Sequence, residues 1–80
     1  MLKSDSELET HDIYLAAYLL VAGCALVNTK RQGVRKIFVF SNPAGSLSEL
    51  RQAYFSGSAT VKAHEYAQKV IAMKNLVHEG

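Results

Sequence analysis

Residues Lys36-Ile37-Phe38-Val39-Phe40-Ser41 hold the densest β-forming signal in an 80-residue chain. β-branched and aromatic side chains suit a pleated surface. Successive side chains of a strand point to opposite faces, so Ile37 and Val39 share one face and Phe38 and Phe40 the other. Both faces are therefore apolar. A two-stranded hairpin is marginal in water, and one with two apolar faces needs cover on each. The rest of the chain has to supply that cover or extend the sheet.

Immediately upstream, Cys24 to Thr29 is short, apolar and compatible with a partner strand. Lys30 to Arg35, with Gly33, reads as the hairpin connection. Further upstream, His11 to Ala22 are good helix formers, with Gly23 as a C-terminal stop. Ser6 with Glu9 has the spacing of a capping box, and Thr10 is the other candidate cap. On a helical wheel Ile13, Ala17 and Leu20 fall on one side and Leu15, Leu19 and Ala22 on another. Tyr14, Tyr18 and Val21 lie between them. A helix apolar all round is enclosed by its own fold, or by its fold on one side and a partner on the other.

Downstream, Asn42-Pro43-Ala44-Gly45 ends the strand, and Ser46-Leu47-Ser48-Glu49 is a second capping box. The helix it opens runs to about Phe55, with Leu47, Leu50 and Tyr54 on one side and Gly57 as its stop. Thr60 or Ser58 then caps a third helix from Val61 to His78, whose apolar stripe is Ala63, Tyr66, Ala67, Val70, Met73 and Val77. The expected fold is a small α+β domain of order α-β-β-α-α, an antiparallel hairpin packed on helices, its sheet extended or covered by dimerisation. Residues 1–9 read as a polar segment without fixed structure, and 10–80 as the single domain.

Composition narrows the function classes. Apolar residues are 49% of the chain, too many for a disordered tail. A net charge of +2 is far from the excess of a dedicated nucleic-acid coat protein. The apolar run Ile13 to Val27 is 15 residues long and interrupted by Gly23, shorter than the ~20 that a spanning helix requires. The residues ahead of it, with Asp5, Glu7, Glu9 and Asp12 against Lys3, lack the basic start of a secretory signal. No membrane role is expected. Cys24 has no intramolecular partner, which fits a buried apolar thiol and a reducing, cytoplasmic setting.

Catalytic chemistry has no foothold in the sequence. His11, His64 and His78 have no ligand-spaced neighbours, and no nucleophile elbow, Cys–His pair or Walker-type loop occurs. No enzyme activity, metal or cofactor is expected. Ser41 to Ser48 runs through a Pro-Gly loop into a helix start, where an anion could sit, but Ser46 as a cap meets the same N–H groups. One charged feature has direction. Lys30, Arg31, Arg35 and Lys36 cluster about the hairpin connection and could contact nucleic-acid phosphates. A solvated turn whose charges discourage edge-to-edge pairing accounts for the same residues.

The apolar helix ending in Gly23, the strand Phe38-Val39-Phe40, the segment Leu50…Tyr54-Phe55-Ser56-Gly57…Val61, and Lys74 with Leu76 carry a resemblance. Across residues 12–77 the chain is similar to a family of short bacterial and phage-borne domains with no assigned function. The resemblance implies a bacterial or mobile-element setting and supplies no catalytic residues. The leading expectation is a non-catalytic interaction module that forms a homodimer through Tyr14, Tyr18, Ile37 and Val39, or that meets another protein there. The alternative is a nucleic-acid-binding accessory protein using the basic hairpin 30–36.

Overall fold

Arg35–Ser41 is strand β3, the centre of a three-stranded antiparallel sheet. On one side lies β1 (Glu7–Thr10) and on the other β2 (Ala25–Gln32). Helix α1 (Ile13–Val21) connects β1 to β2, and α2 (Leu47–Ser56) and α3 (Ala63–Glu79) follow β3. The computed structural model describes residues 7–41 and 47–79, excepting the Glu79 side chain. The expected strand break at Asn42–Gly45 and the Ser46 cap lie outside the described residues, as does Ser6.

The α+β class holds, with antiparallel strands and helices segregated. The order is β-α-β-β-α-α, one strand more than expected. Glu7-Leu8-Glu9, read as unstructured, and Thr10, read as a candidate helix cap, pair with β3 from Glu7↔Ser41 to Thr10↔Phe38. The sheet's first extension thus comes from within the chain. Leu8 turns toward the core while Glu7 and Glu9 stay exposed, so four residues with one apolar anchor suffice beside a strand as apolar as β3. With Glu9 in a strand, the box with Ser6 cannot cap α1. Asp12 does so instead, its carboxylate accepting from the N–H groups of Tyr14 (2.9 Å) and Leu15 (3.3 Å). The Thr10 hydroxyl accepts from the Asp12 N–H at 3.0 Å and fixes the strand-to-helix corner.

Gly23 closes α1 as its sequence position implies. Its φ of +98° lets its N–H bond to the Leu20 carbonyl while the Cys24 N–H reaches Leu19, the two bonds of a Schellman stop. The same pair, Gly57 to Tyr54 and Ser58 to Ala53, ends α2. Leu15 to Leu19 are all buried, so the middle of α1 is enclosed on every side by the chain itself. The core joins Leu15, Leu19 and Tyr18 of α1 to Phe38 and Phe40 of β3, Leu47 of α2 and Met73 of α3. The inner stripe of α3 is Tyr66, Val70, Met73 and Leu76; Ala63, Ala67 and Val77, counted in the expected stripe, are exposed. Two long-range bonds pin α3 at both ends. The Tyr66 hydroxyl donates to the Tyr14 carbonyl (3.1 Å), and the Lys36 ammonium to the Leu76 carbonyl (2.9 Å), one of the four left open at a helix end.

Replacing Asp12 by Ala should lower stability by about 1 kcal/mol. In a domain of this size that corresponds to a fall in Tm of roughly 4–8 °C. Asp12→Asn, which keeps the accepting oxygen, should stay close to the parent in the same urea and thermal melts followed by circular dichroism.

Candidate nucleic-acid interface

The basic residues about the hairpin stand on a ladder, not in a loose loop. Pairing continues to Gln32↔Arg35, which leaves Gly33-Val34 as a two-residue connection. Gly33 has φ +63° and Val34 does not enter the left-handed region, the pattern of a type II′ turn with glycine first. β1 stops opposite Phe38, so the pairs Lys30↔Ile37, Arg31↔Lys36 and Gln32↔Arg35 extend past it as a two-stranded ribbon. Val34, at the tip, is 96% exposed.

The ladder divides the four cations between two faces. Lys30 and Arg35 share the outer face with Ile37 and Val39, whereas Arg31 and Lys36 share the inner face with Phe38 and Phe40. Lys30 meets the Glu9 carboxylate at 2.6 Å, Arg35 donates to the His11 ring at 3.2 Å, and Lys36 caps α3. The Glu9 hydrogen bond is the largest influence on Lys30, ahead of the carboxylate's charge, and it raises the ammonium's pKa. The pair is exposed, and such pairs contribute little to stability.

Its position matters more than its energy. Glu9 lies opposite Val39 on one side of β3, and Lys30 opposite Ile37 on the other. A bond between them must cross β3, because neighbouring strands are about 4.8 Å apart. The side-chain stems therefore lie over the outer face, and Ile37 and Val39 are only 9% and 3% exposed. This corrects the expectation that these two offer an apolar docking face. Tyr18 is corrected likewise: it is buried and stacked on Tyr54, ring centroids 5.8 Å apart. Of the four residues expected in self-association, Tyr14 alone is substantially exposed, at 46%.

All four tyrosines converge at another corner, which sequence spacing did not bring together. Tyr14 and Tyr18 come from α1, Tyr54 from the end of α2 and Tyr66 from the start of α3. Burial, then the nearby Asp12 charge, raises the pKa of both Tyr54 and Tyr66. Tyr18 and Tyr54 stack, the Tyr54 and Tyr66 side chains hydrogen-bond, and this corner serves the junction of three helices. Burial also raises the Cys24 thiol pKa. A shallow hollow of about 330 Å³ on α2, lined by Glu49, Gln52, Ala53, Ser56 and Ser58, contains none of the ribbon cations. Among the described residues no cluster of three or more His, Cys, Asp and Glu could hold a metal, and no helix is long and apolar enough to cross a membrane.

Two measurements check these placements. A phenol whose folded pKa is raised holds its proton more tightly when folded, so stability is retained below the ordinary value near 10 and lost as pH rises above it. Urea midpoints should therefore fall between pH 9 and pH 11, and Tyr66→Phe should make the fall shallower. Cys24 should react slowly with an aromatic disulfide at pH 8 and at the rate of a free thiol once urea unfolds the chain.

The family model described as Domain of unknown function (DUF5659) matches residues 5–79. No curated protein and no solved structure gives a match. The chain belongs to the DUF5659 family.

Proposed function

We propose that this member of the family is a non-catalytic accessory domain that binds nucleic acid through the β2–β3 ribbon. The observation carrying the reading is the ribbon itself: three ladder pairs beyond the end of β1, bearing Lys30, Arg31, Arg35 and Lys36 and no carboxylate. Neutralising phosphates releases condensed counterions, so a compact set of cations on a projecting element binds polyanions without needing a pocket. Folding supports this use by holding Lys30, Arg35 and Lys36 through Glu9, His11 and Leu76, which lessens the side-chain entropy lost on binding. The single buried Cys24 fits a reducing, cytoplasmic setting.

A second reading, a homodimer, draws on one feature. β2 is eight residues long and, among the described residues, no strand pairs with its outer edge. A second copy could add its own β2 there. Light scattering that gives an 8.8 kDa monomer across the working concentration range would remove this reading.

For the first reading, a fluorescent oligonucleotide should bind at low salt. Its log affinity should fall against log salt with a slope of about −3 to −4 if four phosphates of a duplex are neutralised. The variant Lys30→Gln/Arg31→Gln/Arg35→Gln leaves the Lys36 contact to α3 intact. It should lose most of the affinity and reduce the slope by about 3. Unchanged binding by this folded variant would move the interface elsewhere on the protein.

A further inference from the structure

We infer that the ribbon's target is duplex DNA entered from the major groove, with Gln32 and Val34 facing the base edges, Arg35 level with them, and Lys30 and Arg31 behind them on the phosphates. The inference rests on the nucleic-acid reading above and adds the form of the target and the mode of entry. Three features of the site lead to it.

The first is the absence of a stacking surface beside the cations. Single strands are gripped by aromatic faces interleaved with positive charge. The aromatic residues of β3, Phe38 and Phe40, are fully buried against the helices. The outer face near Lys30 and Arg35 presents Asn28, Gln32, Ile37, Val39 and Ser41, none of them a base-stacking ring, and the His11 ring beside Arg35 is engaged by that guanidinium. A single strand laid there would have phosphate contacts alone.

The second is shape. The major groove is about 12 Å wide and 8.5 Å deep and admits a two-stranded β-ribbon. Three ladder pairs at about 3.4 Å each give the ribbon a reach of roughly 10 Å past β1. On the inner side the last turn of α3 comes up to Lys36, so Gln32-Gly33-Val34-Arg35 is the part beyond both β1 and that contact.

The third is the arrangement of side chains along that reach. The tip holds an amide, an apolar group and Arg35, and Lys30 and Arg31 stand behind it. Gln can make paired hydrogen bonds to adenine, and an apolar side chain can meet the thymine methyl. Lys30 and Arg35 on one face and Arg31 on the other are set to meet the two phosphate walls. A ribbon built only to repel other sheet edges has no use for an uncharged, exposed Val34 at its apex.

The test uses the full chain and four fluorescein-labelled probes of one mixed sequence containing A·T steps. These are a single strand, an unmodified duplex, the duplex with netropsin in its minor groove, and the duplex with glucosylated hydroxymethylcytosines filling its major groove. The unmodified duplex should bind about tenfold more tightly than the single strand or the glucosylated duplex, and netropsin should leave binding unchanged. Val34→Asp, at a position open to solvent, should keep the circular dichroism spectrum and lose about tenfold in duplex affinity. Equal binding to glucosylated and plain duplex, displacement by netropsin, or preference for the single strand would overturn the groove inference and leave the nucleic-acid reading standing. No binding to any probe at low salt would overturn both.

Discussion

The structure is organised by a single constraint: strand β3 is apolar on both faces and must be buried on both. Phe38 and Phe40 supply one face of the core, against α1, α2 and α3. Ile37 and Val39 cannot share that solution, because the strand's period of two sends them to the other side of the sheet. They are covered by long polar side chains from the flanking strands, with Glu9 and Lys30 joined above β3. An isolated exposed ion pair is worth little, but this one holds hydrocarbon stems over two apolar residues. β1 and β2 therefore serve twice, pairing β3 through their backbones and covering it through their side chains. A chain of 80 residues can bury only a modest share of its surface. Covering a sheet face with side-chain stems spares it another layer of secondary structure.

Much of this was legible in the sequence wherever local chemistry and tertiary outcome coincide. The strand at Lys36–Ser41, the stops at Gly23 and Gly57, the hairpin at Gly33 and three helices all follow from periodicity and turn chemistry. β1 did not, for a physical reason. Glu7-Leu8-Glu9-Thr10 has one apolar side chain and sits where Ser6 and Glu9 imitate a helix cap. It becomes a strand only because β3 offers an unpaired edge, a fact about a segment some thirty residues later. The same long-range pairing explains the error over Ile37 and Val39. Their cover comes from Glu9 and Lys30, which no spacing rule links. The tyrosine corner was hidden likewise, since helix packing alone unites Tyr14, Tyr18, Tyr54 and Tyr66.

The candidate interface was visible as a cluster of charges but not as a shape. Lys30, Arg31, Arg35 and Lys36 could have formed a loose loop, and a loose loop would pay the full entropy of ordering on contact with a ligand. The ladder instead alternates them between two faces, a consequence of the two-residue turn and its register. Where the ribbon ends relative to β1 depends in turn on where β1 stops, at Thr10 opposite Phe38. There Thr10 accepts from the Asp12 N–H and the chain turns into α1. The projection of the basic ribbon is thus set by a helix cap at the opposite edge of the sheet.

The ribbon's charge also bears on the choice between a polyanion and a second copy as its partner. The outer edge of β2 is open to strand addition, yet Ala25–Gln32 contains Lys30 and Arg31 and no carboxylate. Two such edges paired antiparallel about Lys30 and Arg31 would bring four cations together, with Glu9 on the far side of each sheet available to offset only Lys30. The register shift between Leu26 and Asn28 further interrupts the flat ladder that pairing requires. Bulges and lysines on an edge strand are how sheets avoid one another. The charge that penalises a second β2 is favourable toward phosphate, whose counterions leave as the cations arrive. A polyanion bound at the ribbon would also screen those cations, so any pairing of β2 edges should be easier in its presence than in its absence.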